Sequence, residues 1–403
     1  MSILKNRNFS FLFFGQLVST FGDNLYALAL PWLVYELTNS KMDLALSSVA
    51  GQLPAIAGLF VGVFVDRWNK RWTMIGADSI RLIIVLIMFL IAVFRPQVWL
   101  LLGLVVMIKL VGTVFSPARS ALIPLILSSE DIPAASGFEQ SGIATTRLIS
   151  NVSGGVLLTL FGAAELFLMD SVSFLVSLIS LLFVNVQEAP RTTSQADSFI
   201  SQWTSGFRYI LGHNTVLRVV VTAVLANFAL VPTETVLVAW VKGPMHGAAY
   251  VLGITMAAIS IGMVIGGMAL QKLSKVLSVR TVLIMGLAST GLCIGFIGLD
   301  TNQFYIMVML LVVGFEMGVM NGAIGSFYLL TIDPEFRGRT LSTLRAVASL
   351  AAPAGAAIYG VLMVHVPLQW VFALLGLPIF FSGLIMLSSQ REASTSPSYT
   401  VEA

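Results

Sequence analysis

Apolar stretches long enough to cross a lipid bilayer recur along the whole chain. A membrane-spanning helix needs about 20 consecutive apolar residues, and twelve such stretches can be drawn through the 403 residues. They cover residues 9–35, 44–65, 73–94, 98–126, 134–161, 164–186, 215–241, 249–271, 280–299, 303–331, 340–364 and 367–388. Only 10% of the residues are charged, against roughly 25% in soluble domains. We therefore predict an all-α integral membrane protein and exclude a soluble enzyme.

The basic residues predict how the chain is oriented. If the N-terminus is inside, fourteen basic residues fall in inner segments, and only Lys41, Arg95 and Lys242 fall outside. Because Lys and Arg collect in cytoplasmic loops, this bias predicts a multi-pass cell-membrane protein with both termini cytoplasmic. The same bias explains the basic pI of about 9.0 and argues against a nucleic-acid partner.

A polar segment in the middle divides the chain into two halves of six spans. We predict an N-terminal six-helix bundle at 1–187, a cytoplasmic linker at 188–214, a C-terminal six-helix bundle at 215–388 and a flexible cytoplasmic tail at 389–403. Apolar residues at spacings of three and four within 198–212 predict a short amphipathic helix in the linker. We interpret this helix as lying on the inner membrane surface.

The two halves carry traces of a duplication. Gly58 and Gly62 form a small-residue row in span 2, and Gly262 and Gly266 form a corresponding row in span 8. Aligning Gly62 with Gly267 places Lys272 opposite Arg67 and Lys275 opposite Lys70. Small-residue rows let helices approach closely in lipid. Parallel repeats of this kind build transporters with a central site between the halves.

Cofactor and metal motifs are absent from the sequence. One cysteine and three widely separated histidines give no recognisable metal pattern. The sequence contains neither a Gly-Lys dipeptide nor a Gly-x-Gly triplet, so it lacks the Walker A and dinucleotide fingerprints. We expect no cofactor and no catalytic centre.

The loop between spans 2 and 3 resembles the signature loop of the major facilitator superfamily. It reads Gly62-x-x-x-Asp66-Arg67-x-x-Lys70-Arg71. The resemblance implies a fold of twelve helices in two pseudo-symmetric bundles. It also implies that these residues form a charge latch at the inner gate, in which Asp66 binds a helix N-terminus and the basic residues pair with acids.

Other motifs are similar to the macrolide-efflux and enterobactin-exporter branch of bacterial drug:proton antiporters. They are Gly22-Asp23-Asn24, Ser116-Pro117-Ala118-Arg119, Asp170-Ser-Val-Ser173-Phe174, Gly206-Phe-Arg208-Tyr209-Ile210 and Arg337-Gly338-Arg339. The resemblance implies proton-coupled antiport that exports a small amphiphilic molecule, such as a drug, macrolide, siderophore or peptide, by alternating access. One departure is the stretch 150–155, which lacks the Gly-Pro step that antiporters of the superfamily usually carry in span 5.

Charged residues inside spans are costly and therefore point to function. For proton coupling in a central cavity we single out Asp23, Glu234, Glu316 and Arg147. Asp23 lies near the middle of span 1, and Glu234 lies beside Pro232, which predicts a kink in span 7. Arg147 is a candidate to neutralise Asp23. The alternative for Asp23 is a structural pair with a buried arginine or a helix N-terminus, and for Glu234 and Glu316 it is a structural role.

The remaining candidates have gating, substrate or structural roles. Asp78 and Arg81 are three residues apart on one helix face and are predicted to form part of the inner gate or a structural pair. Arg345 is predicted to belong to the inner gate. Asp170 is interpreted as a structural acid in the first turn of span 6. The predicted substrate contacts in spans 1 and 7 are Asn24, Tyr26, Asn227 and Phe228.

Other functions remain open at this stage. A lysophospholipid transporter or flippase of the same fold shares the Gly-Asp-Asn of span 1 and the Ser-Pro-Ala after span 4. A non-transporting membrane receptor is the alternative from another class. The expected partners are a small-molecule substrate, protons and the lipid bilayer, and we expect a monomer.

Overall fold

A computed structural model describes residues 3–65, 68–186, 199–331 and 337–388. Fourteen α-helices cover most of these residues, together with short 3-10 turns at Ile3–Lys5 and Ile297–Leu299. The helices are α1 Arg7–Thr38, α2 Lys41–Gln52, α3 Pro54–Val65, α4 Lys70–Phe94, α5 Val98–Ile126, α6 Ile132–Phe161, α7 Ala163–Phe183, α8 Phe199–Gly212, α9 Asn214–Lys242, α10 Ala249–Leu273, α11 Val279–Phe296, α12 Gln303–Thr331, α13 Arg337–His365 and α14 Leu368–Ser388.

Local sequence signals set several of the helix ends. The side chains of Asn6, Ser40, Asn69 and Ser278 each accept a hydrogen bond from a backbone N–H in the first turn of the following helix. These are the residue types that cap N-termini best, because their side chains satisfy donors that the helix leaves unpaired. Asn39 ends α1 in the left-handed conformation, with φ 50°. The loops that connect the long helices within each half of the chain are short, so successive long helices run in opposite directions.

Ten helical segments of the described part of the chain are long and apolar enough to span a membrane. They lie in α4–α7 and α9–α14, and the segment in α11 continues through the 3-10 turn to Leu299. Large apolar side chains on these helices are exposed, among them Phe94 and Phe304 at 76% and 73%. Exposed apolar surface on this scale fits contact with lipid rather than water. The predicted all-helical membrane protein is confirmed at this level.

The predicted second span is wrong in one respect. We expected one continuous helix over 44–65, but the structure has two, α2 and α3, which are separated at Leu53. Pro54 explains the interruption, since proline has no backbone N–H to bond the carbonyl one turn earlier. The Leu53 N–H still bonds to the carbonyl of Val49.

We call the end of the bundle where α1 begins and α14 ends the near face, and the opposite end the far face. Helices α1–α7 form an N-terminal group, in which α7 packs along α1 and α4. Helices α9–α14 form a C-terminal group, in which α10 packs along α12 and α11 along α14. The two groups meet mainly through α6 against α10 and α2 against α13.

Small residues produce the closest packing, as the sequence predicted for the row in span 8. A Cβ atom on Gly262 or Gly266 would collide with the carbonyl oxygens of Leu311 and Phe315 in α12. The two backbones therefore touch along this row. In the other half, a Cβ on Gly58 would lie 3.1 Å from the Thr113 side chain of α5.

The groups also touch through small residues towards the far face. A Cβ on Gly253 of α10 would lie 2.5 Å from the Gly155 Cα of α6. A Cβ on Gly360 of α13 would lie 2.5 Å from the Ala45 Cβ of α2. Deeper along α10, Asn151 donates a 2.9 Å hydrogen bond to Ser260. The far ends of the two groups are therefore in close contact.

The short helix predicted within 198–212 is present as α8. Tyr209 and Ile210 are buried against Val216 of α9 and Leu344 of α13. The C-terminal part of α8 is therefore attached to the C-terminal group. Its predicted position on the membrane surface stays a prediction.

Candidate functional site

The signature loop is only partly within the described residues. Asp66 and Arg67 lie outside them, and Gly62 belongs to α3 without a described environment. Lys70 is buried and its ammonium group donates to the carbonyls of Val65 and Trp68, at 3.2 and 2.6 Å. Since helix C-termini carry partial negative charge, this contact stabilises the end of α3.

Arg71 makes a comparable contact with a different helix. Its guanidinium donates to the carbonyls of Leu181 and Leu182 at the C-terminal end of α7, at 3.1 and 2.7 Å. The expected pairing of the loop's basic residues with acids stays a prediction. The contacts described for Lys70 and Arg71 are with backbone carbonyls, and they connect the loop to α3 and α7.

Asp78 and Arg81 form an ion pair inside the N-terminal group. Their closest atoms, Asp78 Oδ1 and Arg81 Nη1, are 3.6 Å apart, and Asp78 is fully buried. Ser177 of α7 donates a 2.7 Å hydrogen bond to the other carboxylate oxygen. The Arg81 guanidinium lies 4.8 Å from the centre of the Phe115 ring. This arrangement places the pair among α4, α5 and α7.

The structure places Asp170 against the middle of α1. A Cβ on Gly22 would lie 2.5 Å from Asp170 Oδ1 and would collide with Ser173 Oγ. Asp170 lies about 10 Å into α7, since each residue adds about 1.5 Å and the helix begins at Ala163. Our interpretation of Asp170 as a first-turn acid is therefore wrong. The acid in that turn is Glu165.

Tyr26 lies one turn further along α1 and is buried, at 1% exposure. Its ring packs against Phe167, and the Lys109 ammonium group lies 5.4 Å from the ring centre. Its hydroxyl and the Asn24 side-chain amide have no hydrogen-bond partner among the described residues. Tyr26, predicted as a substrate contact, thus lies inside the N-terminal group.

These helices gather five charged side chains into what we call the acidic cluster. Its members are Asp23 of α1, Asp78 and Arg81 of α4, Lys109 of α5 and Asp170 of α7. Asp170 lies within electrostatic range of Asp23, Lys109 and Arg81, and Asp78 lies within range of Asp23 and Arg81. Asp23 is partly exposed, whereas Asp170 and Asp78 are fully buried.

Two opposite charges, one from each helix group, form a second site of interest. Glu234 of α9 and Arg147 of α6 lie within electrostatic range of each other. Both side chains are exposed, although Thr233 and Thr235 on either side of Glu234 are buried. We proposed Asp23 as the partner of Arg147 from the sequence. The structure shows Glu234 as an electrostatic neighbour that comes from the opposite group.

The other candidates lie in separate environments. A Cβ on Gly286 of α11 would lie 3.1 Å from Glu316 Oε2, so the Glu316 carboxylate faces α11. The Asn227 amide donates to the Ala223 carbonyl within α9, and the Phe228 ring packs 5.5 Å from that of Tyr359 in α13. Arg345 belongs to α13, but its side chain is not described.

Sequence reasoning missed Asp170 and Lys109 as members of one cluster. The available signal was the presence of both charges in apolar spans, which is costly unless they have partners. No rule of spacing connects residues on α1, α5 and α7, because the relation between them is purely tertiary. Among the described residues, no group of acids, histidines and cysteine has a geometry that could hold a metal ion.

The fold is that of a multi-pass helical membrane protein with charged groups between and within its two helical groups. Over residues 1–399 the chain matches the family MFS_3, described as transmembrane secretion effector. The chain therefore belongs to this family of the major facilitator superfamily. As the resemblance implied, it is a transporter of the drug-efflux branch rather than an enzyme, and a multi-pass protein of the bacterial cell membrane.

Similar proteins support this assignment. The chain is 25% identical over 353 residues to macrolide efflux protein A of Streptococcus pyogenes, covering 85% of each chain. It is 22% identical over 390 residues to the multidrug efflux pump Tap of Mycolicibacterium fortuitum, covering 94% of this chain and 95% of that protein. A solved bacterial homologue of the iron transporter ferroportin, in an inward-facing state, aligns with a TM-score of 0.76 at 13% identity, over 96% of this chain and 99% of that one. This structure shows likeness of fold alone.

Proposed function

We propose that the protein exports a small amphiphilic molecule, such as a macrolide or another drug, in exchange for protons. The proposed architecture has twelve membrane-spanning helices, with α1 and the α2–α3 pair completing the set. Both termini are cytoplasmic, so the near face is cytoplasmic and the far face is outside. The bundles at 1–187 and 215–388 move against each other about a central site, with 188–214 as the linker.

The observation that carries this proposal is the placement of Glu234 and Arg147 on opposite groups. The attraction between these side chains depends on the charge of Glu234, and a proton that neutralises the carboxylate removes it. A movement of one group against the other changes the separation of the pair. Proton binding and the movement of the groups are therefore linked, as coupled transport requires. Asp23 and Glu316 remain candidates for further proton-binding steps.

The transport test uses proteoliposomes in which the near face is outside and the lumen is acidic. We expect uptake of a radiolabelled macrolide, because export in this orientation carries substrate inward as protons leave. If one proton leaves for each macrolide molecule that enters, a gradient of one pH unit can drive about tenfold accumulation. The reason is that a tenfold concentration ratio of either species corresponds to about 1.4 kcal/mol. Uptake of labelled lysophospholipid without macrolide uptake would favour the lipid transporter. Binding without uptake would favour the receptor.

Glu234→Gln is expected to abolish the effect of the pH gradient on uptake, because the amide carries no charge at any pH. The matched control is Asp300→Asn, which removes an acid at the far face, in the exposed turn before α12. The control should accumulate macrolide as the unmodified protein does. If Glu234→Gln still accumulates substrate in proportion to the pH gradient, the role of Glu234 in coupling is wrong.

Contacts at the far face are proposed to hold the outside closed. Lys242 of α9 lies 3.6 Å from the Glu36 carboxylate and 4.6 Å from the centre of the Trp32 ring, both on α1. Ion pairs that are partly exposed contribute about 0.2–1 kcal/mol, and cation–π contacts at exposed sites about 0.5–1 kcal/mol. The closed far face is thus favoured by roughly 1 kcal/mol, since these contacts exist only while α1 and α9 are close.

Lys242→Met is expected to increase opening of the far face about fivefold, which corresponds to roughly 1 kcal/mol. The measurement is labelling of Ser260→Cys by a membrane-impermeant maleimide that is added on the side of the far face. The single cysteine of the chain, Cys293, is replaced by serine for this experiment. Lys41→Met is the control, because it removes a positive charge from the same face. Equal labelling of the two methionine variants would contradict this role for Lys242.

A further inference from the structure

The acidic cluster contains a buried carboxyl group that has too few hydrogen-bond donors around it to stabilise its ionised form. Asp170 has 0% exposure, and its Oδ2 atom has no hydrogen-bond partner among the described residues. Ser173 donates to Oδ1 at 3.2 Å but also bonds to the Asp170 carbonyl at 2.7 Å. An ionised carboxylate with so few donors is costly to bury, whereas the neutral acid is not.

The charges around Asp170 favour the binding of one proton. Its charged and titratable neighbours are Asp23 and Tyr26 on α1 and Arg81 and Lys109 on α4 and α5. Arg81 is also paired with Asp78. Three acids therefore share two bases in the acidic cluster, and a single proton makes the whole cluster neutral. Neutrality matters here because net charge in a low-dielectric interior is strongly unfavourable.

The geometry also provides a route by which a proton can enter and leave. Asp23 is partly exposed, and its neighbour Gly22 packs directly against Asp170. The absence of a side chain at Gly22 lets α1 and α7 approach closely enough for this contact. Tyr26, whose buried hydroxyl also lacks a partner among the described residues, lies one turn away. A hydroxyl can both donate and accept a hydrogen bond, so it can relay a proton.

We propose that Asp170 is the proton-binding residue of the N-terminal group, and that Asp23 passes the proton to it. In this transfer the O–H bond at the Asp23 carboxyl group breaks and an O–H bond forms at Asp170 Oδ2. Asp23 is left ionised and accessible, and Asp170 becomes a neutral acid. The inference rests on the proposed function, because it gives the exchanged proton a second binding position, besides Glu234, within the same transport cycle.

The first experiment measures macrolide transport by Asp170→Asn in the proteoliposomes described above. The amide has the shape of the protonated acid but cannot release a proton. We expect accumulation driven by one pH unit to fall about tenfold, to the level without a gradient, while exchange of labelled for unlabelled macrolide at equal pH continues. Unchanged gradient-driven accumulation in Asp170→Asn would overturn the proposal for Asp170 and leave the proposed function intact. Loss of the gradient effect in the unmodified protein would overturn both.

A second experiment needs no variant and so does not depend on the folding of Asp170→Asn. Dicyclohexylcarbodiimide reacts with protonated carboxyl groups in apolar surroundings, and mass spectrometry of fragments locates the adduct. We expect label on Asp170 at neutral pH, less label at high pH, and none on the exposed Asp300. The fragment must separate Asp170 from Glu165 on the same helix. Absence of label on Asp170 at every pH would overturn the proposal.

Discussion

Gly253→Leu is expected to abolish transport while the protein remains folded. Gly253 and Gly155 are the point where α10 and α6 touch, and a Cβ on Gly253 would lie 2.5 Å from the Gly155 Cα and 2.7 Å from its nitrogen. Real Cβ atoms do not approach backbone atoms so closely, and a backbone cannot rotate away as a flexible side chain can. A leucine therefore forces the two groups apart at this contact.

The consequence for the cycle follows from the position of the contact. Because the far ends of the groups meet at α6 and α10, a protein with a leucine there cannot close the far face. Transport by alternating access requires both faces to close in turn. We expect macrolide uptake to fall to the level of liposomes without protein. We also expect the cysteine of Ser260→Cys to become reactive to a maleimide added on the side of the far face.

The same helix offers a matched control. Gly267 lies on α10, and a Cβ added there meets no atom within 4 Å. Gly267→Leu should therefore keep macrolide uptake and the low reactivity of Ser260→Cys. If both leucine variants transport equally well, the contact between Gly155 and Gly253 does not have to form during the cycle.

Arg81→Met is expected to cost about 3–5 kcal/mol of folding free energy, the usual result of removing one partner of a buried ion pair. Asp78 has 0% exposure, and after the substitution its only described hydrogen-bond donor is Ser177. Methionine leaves the carboxylate without its positive partner and also removes the cation–π contact with Phe115. The loss of folding free energy is measured by unfolding the detergent-solubilised protein with heat or denaturant.

The double variant Asp78→Asn with Arg81→Met tests the cause. Removing both charges should recover most of the lost stability, because the penalty comes from a buried unpaired charge and not from the ion pair itself. Arg119→Met provides a comparison, because Arg119 forms an ion pair with Glu139 at 2.6 Å. The side chains of Arg119 and Glu139 retain 18% and 14% exposure. We expect a smaller loss there, since water still reaches both groups. A double variant as unstable as Arg81→Met would contradict this explanation.

Much of the helical organisation could be predicted from the sequence because it depends on local properties. Apolar stretches predicted the long helices, and a Gly-x-x-x-Gly row in span 8 predicted the close approach that Gly262 and Gly266 make to α12. The interruption between α2 and α3 was also predictable in principle, since Pro54 is the residue that breaks the hydrogen-bond ladder. Hydropathy does not reveal the interruption, because the residues on both sides of Pro54 are apolar.

The candidate site could be predicted only in its composition. Asp23, Asp78, Arg81, Arg147 and Glu234 were recognised because charge in an apolar span is unusual. The spacing of Asp78 and Arg81 indicated that these two could pair, but the partners of the other residues were not recognised. Asp170 was assigned to a helix terminus, although it lies against Gly22 and within range of Asp23. The sequence could not connect Lys109 with α1, although its ammonium group lies 5.4 Å from the centre of the Tyr26 ring.

The sequence by itself determined that this is a membrane protein, which residues form its long helices, and which family it belongs to. These properties follow from runs of apolar residues and short motifs, each contained in a few dozen neighbouring residues. Only the tertiary structure decided which charges share an environment, with Asp170 beside α1 and Glu234 opposite Arg147. The physical reason is that such contacts depend on how each helix is rotated and tilted against helices far away in sequence, and this is set by packing.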